Sequence, residues 1–248
     1  EEAMKVHISS LQKEFYKHWK GFKKAPYPNN FNWEQINKII DQGMRRSDRY
    51  IKLKKAGKSE SEIRKIFKTK IPMTLFSWDG EIDTILSPRD SIKYSKFFIH
   101  SGMMSMDPKT GHVKAYVGGI NYKHFKYDHV KVGKRQVGST FKPFVYALAI
   151  QEGFSPCYQV LNIPVVFDKE SWGLGKIWIP KNSGNELANT WVTLKSGLAN
   201  SINTITAYLL KELGAHAVVD MAKKIGIQSD ISPVPSVCLG VFDLSVYE

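Results

Sequence analysis

The longest uninterrupted apolar run in this chain, Phe144 to Ile150, is far too short to cross a bilayer, so the fold has to come from amphipathic elements that each bury one face. With 42% hydrophobic residues, the chain carries enough apolar surface for one large domain, or for one domain with an appendage. Nothing near Glu1 has the charged, apolar, small-residue order of a signal peptide. The first methionine, Met4, already lies inside an amphipathic pattern, which predicts that any address label or anchor lies upstream in a longer protein.

From Val6 to Phe22, Leu11, Phe15, Trp19 and Phe22 recur at helical spacing with lysines between them, predicting an amphipathic helix that buries these rings. Tyr27-Pro28-Asn29-Asn30 breaks it. Asn32 then caps a second helix striped by Trp33, Ile36, Ile40 and Met44. Gly57 closes a basic run, and Ser59 with Glu62 three residues on has capping-box spacing ahead of Ile63, Ile66 and Phe67, predicting a third, shorter helix. Residues 1–70 carry +10 of the formal net charge of +13. A basic field of this kind suits polyanions without choosing among them, and aromatic rings between lysines fit a nucleic-acid surface less well than a core face with solvated lysines opposite.

After Pro72 the pattern changes. Met73 to Trp78 and Ile82 to Leu86 predict two short strands around the Asp79-Gly80 turn, and residues 102–119 predict a hairpin that joins the main sheet. A helix from about Ser139 to Glu152, a Gly- and Pro-rich stretch to Asn189, and two helical patterns between Thr193 and Gly214 complete an α/β or α+β pattern. The two cysteines, Cys157 and Cys238, stand in no metal or redox spacing, so no metal, cofactor or disulfide framework is expected.

Chemistry concentrates in Arg135-Gln136-Val137-Gly138-Ser139-Thr140-Phe141-Lys142-Pro143-Phe144. Ser and Lys three apart on a helix project from one face, which brings the amine within reach of the hydroxyl. A serine hydroxyl is a weak nucleophile until a base takes its proton, and a lysine with a pKa near ~10.4 is almost wholly protonated at neutral pH. Lys142 therefore needs a site that depresses its pKa, by burial, by a second cation or by the positive end of a helix. Ser-x-x-Lys alone is weak evidence. Ser10-Leu11-Gln12-Lys13 matches it too, inside the first amphipathic helix, where Ser10 and Lys13 read as a solvated face.

Two Ser-x-Asn triplets follow. Ser183-Gly184-Asn185 sits in a polar, glycine-bearing loop and reads as a turn. Ser201-Ile202-Asn203 joins two helical patterns. Residues two apart on an unbroken helix point about 200° away from each other, so Ser201 and Asn203 can serve one site only where the helix breaks.

These residues and their flanks, Asp107-Pro108-x-Thr110-Gly111, Gly118-Gly119, Arg135-Gln136, Gly138 to Phe144 and Trp191-Val192-Thr193-Leu194, resemble class A penicillin-binding proteins over roughly residues 72–248. The resemblance implies a truncated penicillin-binding protein/serine β-lactamase-like transpeptidase fold, with residues 1–85 as a basic, mostly helical linker and 86–248 as an incomplete transpeptidase domain. It also implies an enzyme of the outer face of the bacterial cytoplasmic membrane, in the periplasm, that acts on peptidoglycan stem peptides and is inhibited by β-lactams. The parent protein would be anchored in the membrane through a segment outside this chain, and no nucleic-acid partner is expected. In this family Ser139 would attack the carbonyl between two D-alanines, Lys142 would take its proton, Ser201 would relay a proton to the leaving amine, and Asn203 would bind the substrate amide and fix Lys142. The family's Lys-Thr-Gly lies well after Ser-x-Asn. Lys109-Thr110-Gly111 precedes Ser139 and reads as a hairpin turn, and the chain reaches Glu248 before the working motif, which implies weak or absent turnover.

Two other readings are open. A serine β-lactamase-like hydrolase shares the serine and lysine, but its deacylating glutamate has no counterpart between Ala215 and Glu248, where the terminal residue is the sole glutamate. A noncatalytic, basic polyanion-binding module would leave Ser139 merely at the start of a helix.

Overall fold

Local capping chemistry sets the helices of the front part of the chain. In the computed structural model, which describes residues 2–184 and 187–248, α1 runs Glu2–Trp19, α2 Trp33–Arg46, α3 Asp48–Lys55 and α4 Glu60–Lys68. Asn32 with Gln35, and Ser59 with Glu62, form reciprocal capping boxes at α2 and α4, so both predicted starts are found. The basic run before Gly57 is itself a helix, α3, because Ser47 accepts the Tyr50 N–H and starts it. After α4, β1 (Ile71–Leu75) pairs antiparallel with β2 (Ile82–Leu86) across the Asp79-Gly80 turn, α5 spans Pro88–Ser95, and β3 (Met103–Met106) pairs with β4 (Val113–Val117).

These elements form one compact unit, Glu1–Asp128. Ile36, Ile40 and Met44 of α2 and Ile63 and Phe67 of α4 are buried, each side chain contributing roughly 1.5–3 kcal/mol of hydrophobic stabilisation. Asp41 ties α2 to α4 and α5 by accepting from Arg64 at 3.0 Å and Arg89 at 2.6 Å. On α1 the buried residues are Ile8 and Gln12, whereas Leu11 is exposed, as is Phe22 beyond the helix end at Trp19, which corrects the predicted ring-bearing core face. The helix turns this way because the Gln12 amide satisfies backbone groups far along the chain. Its Nε2 donates to the Phe97 carbonyl and its Oε1 accepts the Ile99 N–H, both at 2.7 Å. The rings of Phe15, Trp19 and Phe22 instead pack on one another.

The 102–119 hairpin forms as predicted, but it joins no main sheet. All four sheets among the described residues are two-stranded. Lys109-Thr110-Gly111 is its turn. Asp107 Oδ1 accepts from the Lys109 and Thr110 N–H groups, and Gly111 takes φ +71°.

The second unit, His129–Glu248, is built around helices. Its elements are β5 (Arg135–Gln136), a 3₁₀ turn over Gly138–Phe141, α6 (Lys142–Gln151), β6 (Gln159–Leu161), α7 (Lys169–Trp172), β7 (Trp191–Thr193), α8 (Leu194–Ala199), α9 (Asn203–Leu213), α10 (Ala215–Ile225), a second 3₁₀ turn over Pro235–Leu239, and β8 (Asp243–Leu244). Helix α6 is apolar on most sides and lies among α8, α9, α10 and the second 3₁₀ turn, with Val145 and Ala149 wholly buried. Ile205, Leu209 and Leu210 of α9, Val218 and Ala222 of α10, and Val237 and Cys238 share its core. Strands β6 and β7 pair antiparallel, as do β5 and β8. Among the described residues no helix is long and apolar enough to cross a membrane.

Candidate active site

Ser139 stands on the 3₁₀ turn, one residue after Gly138, whose φ of +60° a side chain would oppose. The turn is held from the far end of the chain. Gly138 N–H donates to the Gly240 carbonyl at 2.9 Å, Val137 N–H donates to the Phe242 carbonyl at 3.0 Å, and β5 pairs with β8 beside them. Gly240 permits this approach. A Cβ added there would lie 2.2 Å from the Gly138 oxygen and 2.6 Å from its nitrogen, and its φ is +66°.

In a 3₁₀ turn, side chains three apart eclipse, so Ser139 and Lys142 remain aligned although the α-helix proper begins only at Lys142. Their exposures are opposite. Ser139 is exposed and its hydroxyl makes no hydrogen bond to the described residues, while Lys142 is 1% exposed. The amine expected within reach of Ser139 is hydrogen-bonded elsewhere: Nζ donates to Ser201 O at 2.6 Å, Asn203 Oδ1 at 2.7 Å and Ser201 Oγ at 2.9 Å. Three acceptors match the three protons of an ammonium group. Burial holds the Lys142 pKa below the ordinary lysine value, and Cys238 nearby acts in the opposite direction. Burial also pushes the Cys238 thiol and the Tyr146 phenol of the same core up to about 12, so both are neutral at physiological pH.

The helix break required by Ser201-Ile202-Asn203 is present. Helix α8 ends at Ala199 and α9 begins at Asn203, and between them Ser201 adopts φ +52°, a left-handed conformation unusual for a non-glycine residue. This conformation turns both oxygens of Ser201 toward Lys142. Asn203, first in α9, supplies the third acceptor, and its Nδ2 donates to the Lys181 carbonyl at 2.7 Å. A pocket of about 320 Å³ opens beside Ser201, lined by Asn162, Asn182, Ser183, Gly184, Leu187, Asn200, Ser201 and Ile202.

The structure thus brings Lys142, Ser201 and Asn203 into one hydrogen-bonded group and sets Ser139 one turn away on the surface. Ser10 and Lys13, the other Ser-x-x-Lys pair, are exposed on α1. Asn185 of the other Ser-x-Asn triplet lies outside the described residues. Gly240, Lys181 and Asn182 also support the site, and nothing in their local sequence shows which distant groups they meet. The φ-permissive Gly240 after an apolar run is the one usable signal.

The chain is similar to known proteins in sequence and fold. The penicillin-binding protein middle domain matches residues 22–99, and the penicillin binding protein transpeptidase domain matches residues 102–236. Penicillin-binding protein 1A of Pseudomonas aeruginosa is 35% identical over 133 residues, covering 54% of this chain and 16% of that protein. Penicillin-binding protein 2D of Bacillus subtilis is 35% identical over 142 residues, covering 57% of this chain and 20% of that protein. The matches therefore span about a fifth or less of these relatives' length. The crystal structure of penicillin-binding protein 1A from Haemophilus influenzae aligns with 97% of this chain and 38% of its own at a TM-score of 0.59, and at 18% identity the likeness is one of fold.

Proposed function

The chain belongs to the class A penicillin-binding proteins, with a middle domain followed by a transpeptidase domain, and from that premise we propose that it performs serine acyl transfer on peptidoglycan stem peptides. Ser139 Oγ attacks the carbonyl carbon between the two terminal D-alanines while its proton passes to Lys142. The tetrahedral intermediate collapses to an ester on Ser139, and the departing D-alanine amine receives a proton from Lys142 through Ser201. An amine from a neighbouring strand then attacks the ester, forming the cross-link and returning Ser139 to its hydroxyl form. β-Lactams would acylate the same serine. Residues 1–85 would act as the basic helical linker and 86–248 as the acyl-transfer region, working at the outer face of the cytoplasmic membrane.

The observation that supports this reading most is the buried Lys142 amine, held by Ser201 and Asn203 one turn below the exposed Ser139. Acylation then requires Lys142 to give up one of three hydrogen bonds and turn toward Ser139. Its depressed pKa lowers the cost of losing the proton first.

The test is covalent labelling by a fluorescent penicillin, with the modified residue located by peptide mass spectrometry, in the parent chain and in Ser139→Ala. Label on Ser139 that disappears in Ser139→Ala supports the assignment. Label that persists in Ser139→Ala, or absence of label on the parent chain, overturns it.

A further inference from the structure

Helix α9 begins without a cap of its own. Its N-cap residue is Ile202, whose side chain has no acceptor, yet the first N–H groups of a helix need one. Asn182, from an irregular segment twenty-two positions upstream, fills that role, its Oδ1 accepting the Thr204 N–H at 3.1 Å. Its Nδ2 donates to Thr204 Oγ1 and to Asn162 Oδ1, both at 3.1 Å. The Thr204 hydroxyl donates to Asn162 Oδ1, and Asn162 Nδ2 donates to the Leu187 carbonyl at 2.7 Å. Asn162 and Thr204 are buried, at 5% and 6% exposure, so the Thr204 N–H, the Thr204 hydroxyl and the Asn162 amide oxygen would each lose a partner if Asn182 left.

Fixing Asn182 fixes the peptide before it. The Lys181 carbonyl accepts from Asn203 Nδ2 at 2.7 Å, and that contact decides which end of the Asn203 amide is which. With nitrogen toward Lys181, oxygen faces Lys142 Nζ, also at 2.7 Å. Flipping the amide would set its N–H groups against an ammonium and its oxygen against a carbonyl, two unfavourable contacts in place of two favourable ones.

We propose that Asn182 is a positioning residue that, through the Lys181 carbonyl, locks the Asn203 amide into the one orientation that presents an acceptor to Lys142. Among the described residues Asn182 hydrogen-bonds to Asn162 and Thr204 and not to Lys142 or Ser139, and it is not itself catalytic. The functional weight of the lock rests on the acyl-transfer reading above, whereas the lock itself can be measured without any acylation.

The measurement is the Lys142 titration, followed by NMR on protein carrying ¹³C-labelled lysine, with Lys142→Met identifying the signal. In Asn182→Ala the released Asn203 amide stops offering its oxygen while burial persists. The Lys142 pKa is then expected to fall by about one unit, the size of one hydrogen bond lost by a charged group. Val218→Ala serves as control, since a cavity in α10 should lower the unfolding temperature without moving that titration. Should Asn182→Ala fail to fold, Asn182→Ser keeps a hydroxyl acceptor for the helix start, loses the two amide donations, and should shift Lys142 in the same direction. An unchanged Lys142 pKa in either folded variant, or an equal shift in Val218→Ala, overturns the proposal. Absence of penicillin label on the parent would remove the acyl-transfer reading and leave this titration interpretable.

Discussion

Lys142 Nζ donates to two atoms of the same residue, the Ser201 carbonyl oxygen at 2.6 Å and the Ser201 hydroxyl at 2.9 Å. Both oxygens face one amine because Ser201 sits at φ +52° between α8 and α9. The contact therefore depends on a backbone conformation that opposes its own side chain, and the two effects separate by substitution.

Ser201→Ala and Ser201→Gly both remove the hydroxyl, but only glycine adopts φ +52° freely. Ser201→Gly is expected to be more stable than Ser201→Ala by about 1 kcal/mol, measured by urea unfolding. Equal stabilities would show that the turn relaxes out of the left-handed region. Both variants should label more slowly with penicillin than the parent.

Gly240→Ala should be among the most damaging single-methyl changes in the second unit, because its Cβ would collide with the Gly138 backbone rather than with a flexible side chain. A loss of roughly 3 kcal/mol is expected, together with loss of labelling at Ser139. Gly226→Ala, at φ +122° with nothing within 4 Å of the added carbon, provides the comparison, and it should cost less. Equal costs would mean that backbone strain, not contact with the Ser139 turn, explains Gly240.

Lys142 has a depressed pKa in the folded protein, so between that value and the unfolded value near 10.5 the unfolded chain binds more protons than the folded one. Stability contributed by this residue therefore rises with pH through that window and is flat below it. The difference in urea midpoint between the parent and Lys142→Met should change in the parent's favour as pH rises within the window. A pH-independent difference would contradict the shift. The rate of penicillin labelling should climb over the same range, because the neutral amine is the competent base.

Asp41 has the opposite sign. Burial raises its pKa, but the Arg89 and Arg64 hydrogen bonds outweigh burial and hold it below the ordinary value of 3.8. Its contribution is fully present above that value and disappears as pH falls through the folded pKa. Asp41→Asn should destabilise the α2, α4 and α5 cluster by on the order of 1–2 kcal/mol at neutral pH, read by hydrogen exchange of α4 amides, and the gap should close in stronger acid. A gap that persists there would assign the effect to packing.

Much of the candidate site was legible from local chemistry. The helix cap at Asn32, the capping box at Ser59, the turn at Lys109-Thr110-Gly111, and the break needed at Ser201-Ile202-Asn203 each follow from constraints that act within four residues, and each is found. The face that α1 buries was not legible. Helical periodicity lists rings at three-and-four spacing, but Gln12 pairing with residues 97 and 99 turned the helix onto Ile8 instead. Among the described residues the hairpin of residues 102–119 pairs only within itself and joins no main sheet, since strand patterns show where a strand forms and not which strand it joins.

By itself the amino-acid sequence determined the elements, their caps and turns, and the spacing that lines up Ser139 with Lys142, because backbone geometry and near-neighbour hydrogen bonds act over a single turn. Only the tertiary structure decided that Lys142 hydrogen-bonds Ser201 and Asn203, that Gly240 supports the Ser139 turn, and that Asn182 caps α9. These contacts join residues from 22 to 102 positions apart. The partner of a buried polar group is whichever complementary group the packed core carries to it, and no local pattern encodes that choice.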